Sequence, residues 1–254
     1  MDNPVLKIQG LGVDFGGLTA VNNLSFEIGN EEIVGLIGPN GAGKTTVFNL
    51  LTKVYEPTRG EIYLNGENTK KMNVVDVNKA GIARTFQNIR LFNNLSVIDN
   101  IKVSMNRDMN YSIFDSIFRL PKFNKTEKEI DEKAHELLKV FSLDEEADLI
   151  ASSLPYGAQR RLEIARALAC GPSLLLLDEP AAGMNPQETD DLMKTIRFVR
   201  DHFKISILLI EHDMNLVMGI CERIYVLNYG MLLAKGTPEE IKANPEVVKA
   251  YLGD

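Results

Sequence analysis

The sequence predicts an α/β fold that has a parallel-sheet core, an N-terminal antiparallel β subdomain and an inserted α-helical subdomain. Two observations predict this arrangement. Short, nearly continuous apolar runs at residues 33–37, 173–177 and 206–210 are typical of parallel strands that are covered on both faces. Between the first and second of these runs, residues 96–105 and 126–141 combine many charges with helical periodicity, which predicts the helical insertion.

The other elements follow in chain order. The N-terminal part alternates in the manner of antiparallel strands, and Asn65-Gly66 predicts a tight turn after the third of them. These strands are predicted at residues 6–11, 20–28 and 61–64. A helix is predicted at 44–54, and residues 106–125 are predicted to be irregular. We expect a single domain over residues 1–254, with the α/β core and antiparallel sheet at 1–90 and 166–254 and the helical subdomain at 91–165.

Composition restricts the possible functions. The chain is 44% hydrophobic and 25% charged, which is typical of a globular domain. Its two cysteines are too few for a disulfide framework, no apolar run approaches the ~18 residues of a membrane span, and the first residues lack an export-signal pattern. We therefore expect a cytoplasmic protein that meets a membrane only through partners. The net charge of −7 argues against a nucleic-acid partner.

A glycine-rich loop carries the strongest functional signal. Residues 38–45 read Gly-Pro-Asn-Gly-Ala-Gly-Lys-Thr, which matches the phosphate-binding P-loop pattern and lies between a predicted strand and a predicted helix. A chance match in such a chain is on the order of one in a hundred. In this motif the backbone amides surround phosphates, Lys44 reaches the β- and γ-phosphates, and the Thr45 hydroxyl binds Mg²⁺. The predicted nucleotide contacts here are Gly38, Pro39, Asn40, Gly41, Ala42, Gly43, Lys44, Thr45 and Thr46.

Two further strand ends suggest hydrolysis. Four leucines precede Asp178 and Glu179, so Asp178 is expected to hold a water on Mg²⁺ and Glu179 to orient or deprotonate the attacking water. Taken alone, an Asp-Glu-Pro segment would rather indicate a turn with a helix cap. The run at 207–210 is followed by Glu-His-Asp, which favours a γ-phosphate contact for His212.

With these elements in this order, the chain resembles the ATP-binding subunits of ABC transporters over its whole length. The resemblance implies that Gln87, in Arg-Thr-Phe-Gln, contacts Mg²⁺ and water and forms a hinge to the helical subdomain. It also implies that Phe15 stacks on adenine, although a buried core phenylalanine is a rival interpretation. Segments at 84–100, 178–186, 208–220 and 244–254 resemble the ATPases of branched-chain amino-acid importers more closely.

The signature segment departs from the family pattern. The family reads Leu-Ser-Gly-Gly-Gln, whereas residues 154–158 read Leu-Pro-Tyr-Gly-Ala, so the serine hydroxyl that contacts the partner's γ-phosphate is replaced by Pro155. Gly157 and a helix expected to begin near Gln159 are left to bind that phosphate. Asn185 replaces the aspartate of the family's D-loop.

The resemblance also implies cofactors and partners. These are ATP and Mg²⁺, a nucleotide-dependent dimer with a second copy or another ATPase subunit, transmembrane permease subunits and, indirectly, an extracytoplasmic solute-binding protein. Such a subunit lies in the cytoplasm, on the inner face of the cell membrane.

The sequence bears on four alternative functions. A GTPase is disfavoured because its Asp-x-x-Gly appears only at 14–17, before the P-loop, and residues 124–127 read Asn-Lys-Thr-Glu without the guanine-reading Asp. A non-transport ABC ATPase usually has two cassettes or long coiled arms, and it is disfavoured because this sequence has one P-loop and no room for heptads. A subunit that binds ATP without hydrolysis is disfavoured by Glu179. The runner-up is the ATPase of an ABC exporter, for example one for lipid or lipopolysaccharide.

Overall fold

The computed structural model describes residues 3–105 and 121–252. Within them lie ten strands and nine α-helices. The strands are β1 Leu6–Phe15, β2 Leu18–Ile28, β3 Ile33–Ile37, β4 Arg59–Leu64, β5 Glu67–Asn68, β6 Ile82–Arg84, β7 Leu174–Asp178, β8 Ser206–Ile210, β9 Arg223–Asn228 and β10 Met231–Gly236. The helices are α1 Lys44–Leu51, α2 Val74–Lys79, α3 Val97–Met105, α4 Pro121–Val140, α5 Tyr156–Leu168, α6 Pro186–Phe203, α7 Met214–Ile220, α8 Pro238–Ala243 and α9 Pro245–Leu252.

A six-stranded sheet forms the core, in the order β10-β9-β3-β8-β7-β6. Strands β9, β3, β8, β7 and β6 are parallel, and β10 is an antiparallel edge strand. Every residue of β3, β7 and β8 is buried, which explains their unbroken apolar sequences. The predicted α/β class with a parallel core is confirmed.

The second sheet is antiparallel and has the order β2-β1-β4-β5. Its β4–β5 hairpin turns at Asn65 and Gly66, whose φ angles of 50° and 82° suit a tight hairpin turn. The buried faces of this sheet, of α1 and of the parallel strands share one hydrophobic cluster. The predicted N-terminal antiparallel subdomain is therefore present.

The chain divides into two compact units, one of Met1–Gln87 with Pro172–Asp254 and one of Asn88–Gly171. The second unit is slightly longer than the helical subdomain that the sequence predicts, 91–165. In the second unit, α3 packs against α4 and α5. The buried side-chain amide of Asn100 accepts a hydrogen bond from the backbone amide of Phe92 at 2.9 Å and donates one to the carbonyl of Phe92 at 3.2 Å. A fully buried ion pair joins Arg160 to Glu163 within α5, at 2.7 Å.

Two helix boundaries differ from the sequence prediction. Helix α1 ends at Leu51 because Lys53 adopts a left-handed φ of 58°, and the amides of Lys53 and Val54 bond back to the carbonyls of Leu50 and Asn49. This is a Schellman motif, and the sequence did not predict it because Lys53 stands at the position where glycine is usual. Residues 121–125, predicted irregular, begin α4, since proline is well suited to a first helical turn. The rest of that segment, 106–120, lies outside the described residues.

Both cysteines are free thiols. Cys221 is buried, and burial raises the pKa of its thiol to about 12, whereas Cys170 is only half-buried. In the described part of the chain, no helix is both long and apolar enough to span a bilayer.

Candidate nucleotide site

The order of the parallel strands collects the predicted site residues at one edge of the sheet. Strands β3, β8, β7 and β6 are consecutive neighbours. Their carboxyl ends lead into the P-loop, into Glu211 and His212, into Asp178 and Glu179, and towards Gln87. Ligands of open α/β sheets bind at this edge, where the strand order reverses. Sequence proximity could not place these segments side by side, whereas the sheet does.

The P-loop connects β3 to α1 and is tightly packed at its glycines. A Cβ on Gly38 would lie 2.2 Å from the carbonyl oxygen of Leu227, and one on Gly43 would lie 2.9 Å from that of Ala20. These distances leave room only for glycine. Gly41, with a φ of 78°, has open space at its Cβ position instead, as expected where a ligand approaches the backbone.

Lys44 is the first residue of α1 and is buried. Its Nζ donates to the carbonyls of Gly38 at 2.6 Å and Pro39 at 3.0 Å. Burial lowers the pKa of Lys44, and the nearby carboxylates of Glu179 and Asp178 oppose that shift. The ammonium therefore lies inside the loop and close to both predicted acidic residues, while Thr45 beside it is exposed.

A cleft of about 630 Å³ opens over the loop. Predicted site residues account for much of its lining: Phe15, Asn40, Gly41, Ala42, Gly43, Lys44, Thr45, Thr46, Glu179 and His212. Phe15 is 43% exposed, so it is not a core residue. Its ring meets that of Tyr55 edge-on at 5.1 Å, and Tyr55 also lines the cleft. Sequence reasoning missed Tyr55, because only the fold brings it beside Phe15.

Glu179 connects three of the strand ends. Its backbone adopts a left-handed φ of 48°, unusual for a residue with a side chain, and its amide donates to the carbonyl of Ile210 at 2.9 Å. The carboxylate accepts a hydrogen bond from Nε2 of Gln87 at 2.8 Å and lies 2.9 Å from Nε2 of His212. Because an ionised carboxylate only accepts, the His212 contact requires a proton on Nε2. Such backbone strain is concentrated at functional sites in proteins.

Asp178 is buried at the end of β7, and its Oδ2 accepts a hydrogen bond from Nη2 of Arg84 at 2.7 Å. Sequence reasoning missed Arg84, although it begins the Arg-Thr-Phe-Gln segment. The signal was a charged residue within a short strand, which is costly to bury unless it is paired.

Glu211 is a second residue that sequence reasoning missed. It is buried, and its carboxylate accepts from the backbone amides of Ala181 at 2.7 Å, His212 at 2.9 Å and Asp213 at 3.3 Å. Burial raises its pKa, and those three amide donors lower it. Its side chain thereby fixes the loop after Glu179 to the loop that carries His212.

The predicted metal-binding side chains fit Mg²⁺. Thr45, Gln87 and Asp178 offer a hydroxyl, an amide and a carboxylate oxygen, which are hard donors of the kind that Mg²⁺ prefers. Within residues 3–105 and 121–252, no cluster of three or more His, Cys, Asp or Glu side chains could hold a metal by itself. A site of this composition suits Mg²⁺ that is bound largely by substrate phosphates.

The predicted signature glycine lies in the other compact unit. Gly157 is the second residue of α5, which begins at Tyr156 and not near Gln159 as the sequence suggested. Pro155 occupies the N-cap, where its missing amide hydrogen removes no helical hydrogen bond, and no side chain caps that helix end. Asn185 caps α6 by a reciprocal pair of hydrogen bonds with Glu188, at 2.9 and 3.0 Å.

Comparison with known proteins identifies the family of this chain. Residues 21–182 match the model described as ABC transporter, and residues 231–254 match that of the branched-chain amino acid ATP-binding cassette transporter. The chain is 49% identical to the high-affinity branched-chain amino acid transport ATP-binding protein LivG of Salmonella typhimurium, over all of both chains. It is 47% identical to BraF of Pseudomonas aeruginosa, which has the same description, again over all of both chains.

More distant matches agree with these. The lipopolysaccharide export system ATP-binding protein LptB of Escherichia coli is 32% identical over 98% of this chain and 97% of its own. An ATP-binding cassette of an ABC transporter, solved in its ADP conformation, has a TM-score of 0.86 and 26% identity, and the match covers 99% of this chain and 100% of that one. The resemblance predicted from the motifs is confirmed, and the chain belongs to the ABC transporter family as an ATP-binding subunit of its branched-chain amino acid group.

Proposed function

We propose that this chain hydrolyses ATP to ADP and phosphate, with Mg²⁺, to drive the uptake of branched-chain amino acids by an ABC importer. The cargo is inferred from the relatives that are 47–49% identical over their full length. The hydrolytic role is carried by one observation, that the carboxylate of Glu179 is held between Gln87 and His212 at the P-loop.

Glu179 acts on the attacking water. A general base must be oriented, and two donors on different strand ends restrict the Glu179 carboxylate in direction. His212 donates its Nε2 proton to Glu179 and lines the cleft over the P-loop, where the γ-phosphate would bind. Little covalent chemistry is required of the protein in phosphoryl transfer, so positioning and charge account for most of the catalysis.

The phosphates are bound by the P-loop. The N-terminus of α1 and the Lys44 ammonium supply the positive potential, and Phe15 with Tyr55 supports the adenine ring. Bound Mg²⁺ would neutralise charge on the β- and γ-phosphates, and Thr45, Asp178 and Gln87 would hold it. Each of these side chains belongs to the larger unit, Met1–Gln87 with Pro172–Asp254.

The other half of the site comes from a second subunit. We assign Gly157 and the start of α5 to the γ-phosphate of a partner, in a nucleotide-dependent dimer with a second copy or a related ATPase subunit. The dimer drives transmembrane permease subunits from the cytoplasmic face of the membrane, and the permeases receive cargo from an extracytoplasmic solute-binding protein.

An exporter ATPase is the second candidate, because LptB covers nearly the same length at 32% identity. The higher identity to LivG and the match of residues 231–254 favour import.

Co-expression with candidate permease subunits and reconstitution into vesicles tests the proposal. Uptake of leucine, isoleucine or valine that requires ATP on this subunit's side, and is lost in Glu179→Gln, is the expected result. ATP hydrolysis without uptake of any branched-chain amino acid would refute the cargo alone. Absence of ATP hydrolysis in the assembled complex would refute the proposed ATPase activity.

A further inference from the structure

The geometry points to Arg84 as a positioning residue that sets the distance between the two magnesium-binding elements, α1 with Thr45 and the end of β7 with Asp178. This inference rests on the proposed function, since it takes Thr45 and Asp178 as the metal-binding residues.

The guanidinium of Arg84 connects three elements through two short hydrogen bonds. From β6, its Nη2 donates to Oδ2 of Asp178 and its Nη1 donates to Oδ1 of Asn49, each at 2.7 Å. Asn49 lies on α1, one helical turn after Thr45. Residues four apart share a helix face, so Arg84 holds α1 on the same face that presents Thr45.

Two aromatic rings fix the guanidinium itself. Its Cζ lies 5.4 Å from the ring centre of Phe48, on α1, and 5.2 Å from that of Phe86. Arginine favours such stacking because its charged group is planar and weakly hydrated. The side chains of Arg84 and Asp178 are 8% and 6% exposed, so water provides little alternative solvation for either charge.

The contact with Arg84 occupies only one of the two oxygens of the Asp178 carboxylate. Arg84 engages Oδ2, and Oδ1 accepts no hydrogen bond from the described residues. A planar, forked donor fixed by two rings therefore leaves one oxygen free and keeps its orientation constant. Residues that hydrogen-bond a metal-binding group orient it, and their loss typically costs about 10- to 100-fold in metal affinity or activity.

A purely structural role is the competing explanation, since any buried ion pair is destabilising to break. Arg223 provides the matched control. It also pairs with a carboxylate, that of Glu32 at 2.6 Å, and lies 5.6 Å from the ring centre of Tyr225, but among the described residues it contacts none of the proposed site residues.

The test compares nucleotide affinity with and without magnesium. Fluorescent ADP is titrated into the purified protein in excess Mg²⁺ and again in EDTA, and the ratio of the two dissociation constants is the magnesium gain. In Arg84→Met we expect the EDTA affinity within about twofold of wild type and a magnesium gain reduced about tenfold. Arg84→Lys keeps the charge but reaches only one of the two acceptors, so we expect partial restoration.

Three further variants make the result decisive. Arg223→Met should lower the melting temperature and keep the full magnesium gain. Asn49→Ala, which cuts only the contact to α1, should reduce the gain several-fold, and it tests the inference even if Arg84→Met does not fold. The inference is overturned if Arg84→Met keeps the wild-type magnesium gain, or if the single variants Asn49→Ala and Arg84→Lys both keep it. Either result counts only if Asp178→Asn loses the magnesium gain. If Asp178→Asn keeps it, the metal assignment is wrong and the inference is overturned with it.

Discussion

The carboxylate of Glu179 and the imidazole of His212 lie 2.9 Å apart, although 33 residues separate them in the chain. The contact follows from the pairing of β7 with β8, whose register places Asp178 opposite Ile210. Each residue therefore lies just beyond its strand. The left-handed backbone of Glu179 and the buried carboxylate of Glu211 below the two loops then set the approach of the side chains.

Glu179→Gln should keep Mg-ATP affinity within about threefold of wild type and reduce steady-state hydrolysis by about 100-fold or more. The change removes the charge that activates water and leaves the P-loop and its lysine unaltered. An ATPase assay and a nucleotide titration on the same preparation measure both quantities. Glu31→Gln, at an exposed carboxylate paired with Lys204, is the control. Activity within a few-fold of wild type would contradict the assignment of Glu179.

Lys44→Ala should weaken ATP binding by about 10- to 100-fold, because charged hydrogen bonds typically contribute about 1.5–3 kcal/mol. A titration with fluorescent ATP measures the loss. Lys194→Ala, on the exposed face of α6, should bind normally. Unchanged affinity in Lys44→Ala would mean that the phosphates bind elsewhere.

Phe15→Ala should weaken ATP binding by about tenfold, since base–aromatic stacking contributes about 1–3 kcal/mol. Binding of inorganic tripolyphosphate should not change, because Phe15 contacts only the base in our proposal. Phe198→Ala is the matched control, as its ring is similarly exposed and stacks on His202, on α6. An equal loss of affinity for ATP and tripolyphosphate would assign Phe15 to the loop's structure and not to adenine.

Gln87→Ala should reduce transport at least as strongly as ATP hydrolysis in the reconstituted complex. Gln87 donates to Glu179 at 2.8 Å and is the last residue of its segment of the nucleotide-binding unit. A hinge at this residue would transmit changes at the site to the permease. Gln9→Ala, on an exposed part of β1, should affect neither rate. Full transport in Gln87→Ala would argue against the hinge.

The sequence predicted the fold class and the P-loop because both depend on local pattern. The runs that became β3 and β8 matched their observed bounds, since fully buried strands are apolar throughout. Contacts that depend on strand order were not predictable in this way. Arg84 and Tyr55 read as ordinary residues of a strand and a loop, and only the packing of β6 and α1 showed what they touch. The end of α1 was not predictable either, because Lys53 adopts a left-handed backbone conformation that is uncommon for lysine.

In the proposed dimer, the second half of each site comes from the partner subunit. Pro155 offers no hydroxyl, and no side chain caps the start of α5, so the backbone groups near Gly157 are the ones that we propose to bind the partner's γ-phosphate. Without permease subunits the dimer should be weak, and ATP should hold it together. We expect ATPase activity per molecule to rise with protein concentration. Glu179→Gln should sediment as a dimer with ATP and as a monomer with ADP.

A monomer with saturating ATP has two possible causes, which Pro155→Ser separates. If the missing hydroxyl is responsible, Glu179→Gln combined with Pro155→Ser should dimerise with ATP. Serine is also a good N-cap, so it should raise the melting temperature by capping α5 whether or not nucleotide is bound. The decisive quantity is therefore the difference in sedimentation between ATP and ADP, to which a cap alone contributes nothing. A double variant that is capped, saturated with ATP and still monomeric would refute a composite site in the isolated subunit.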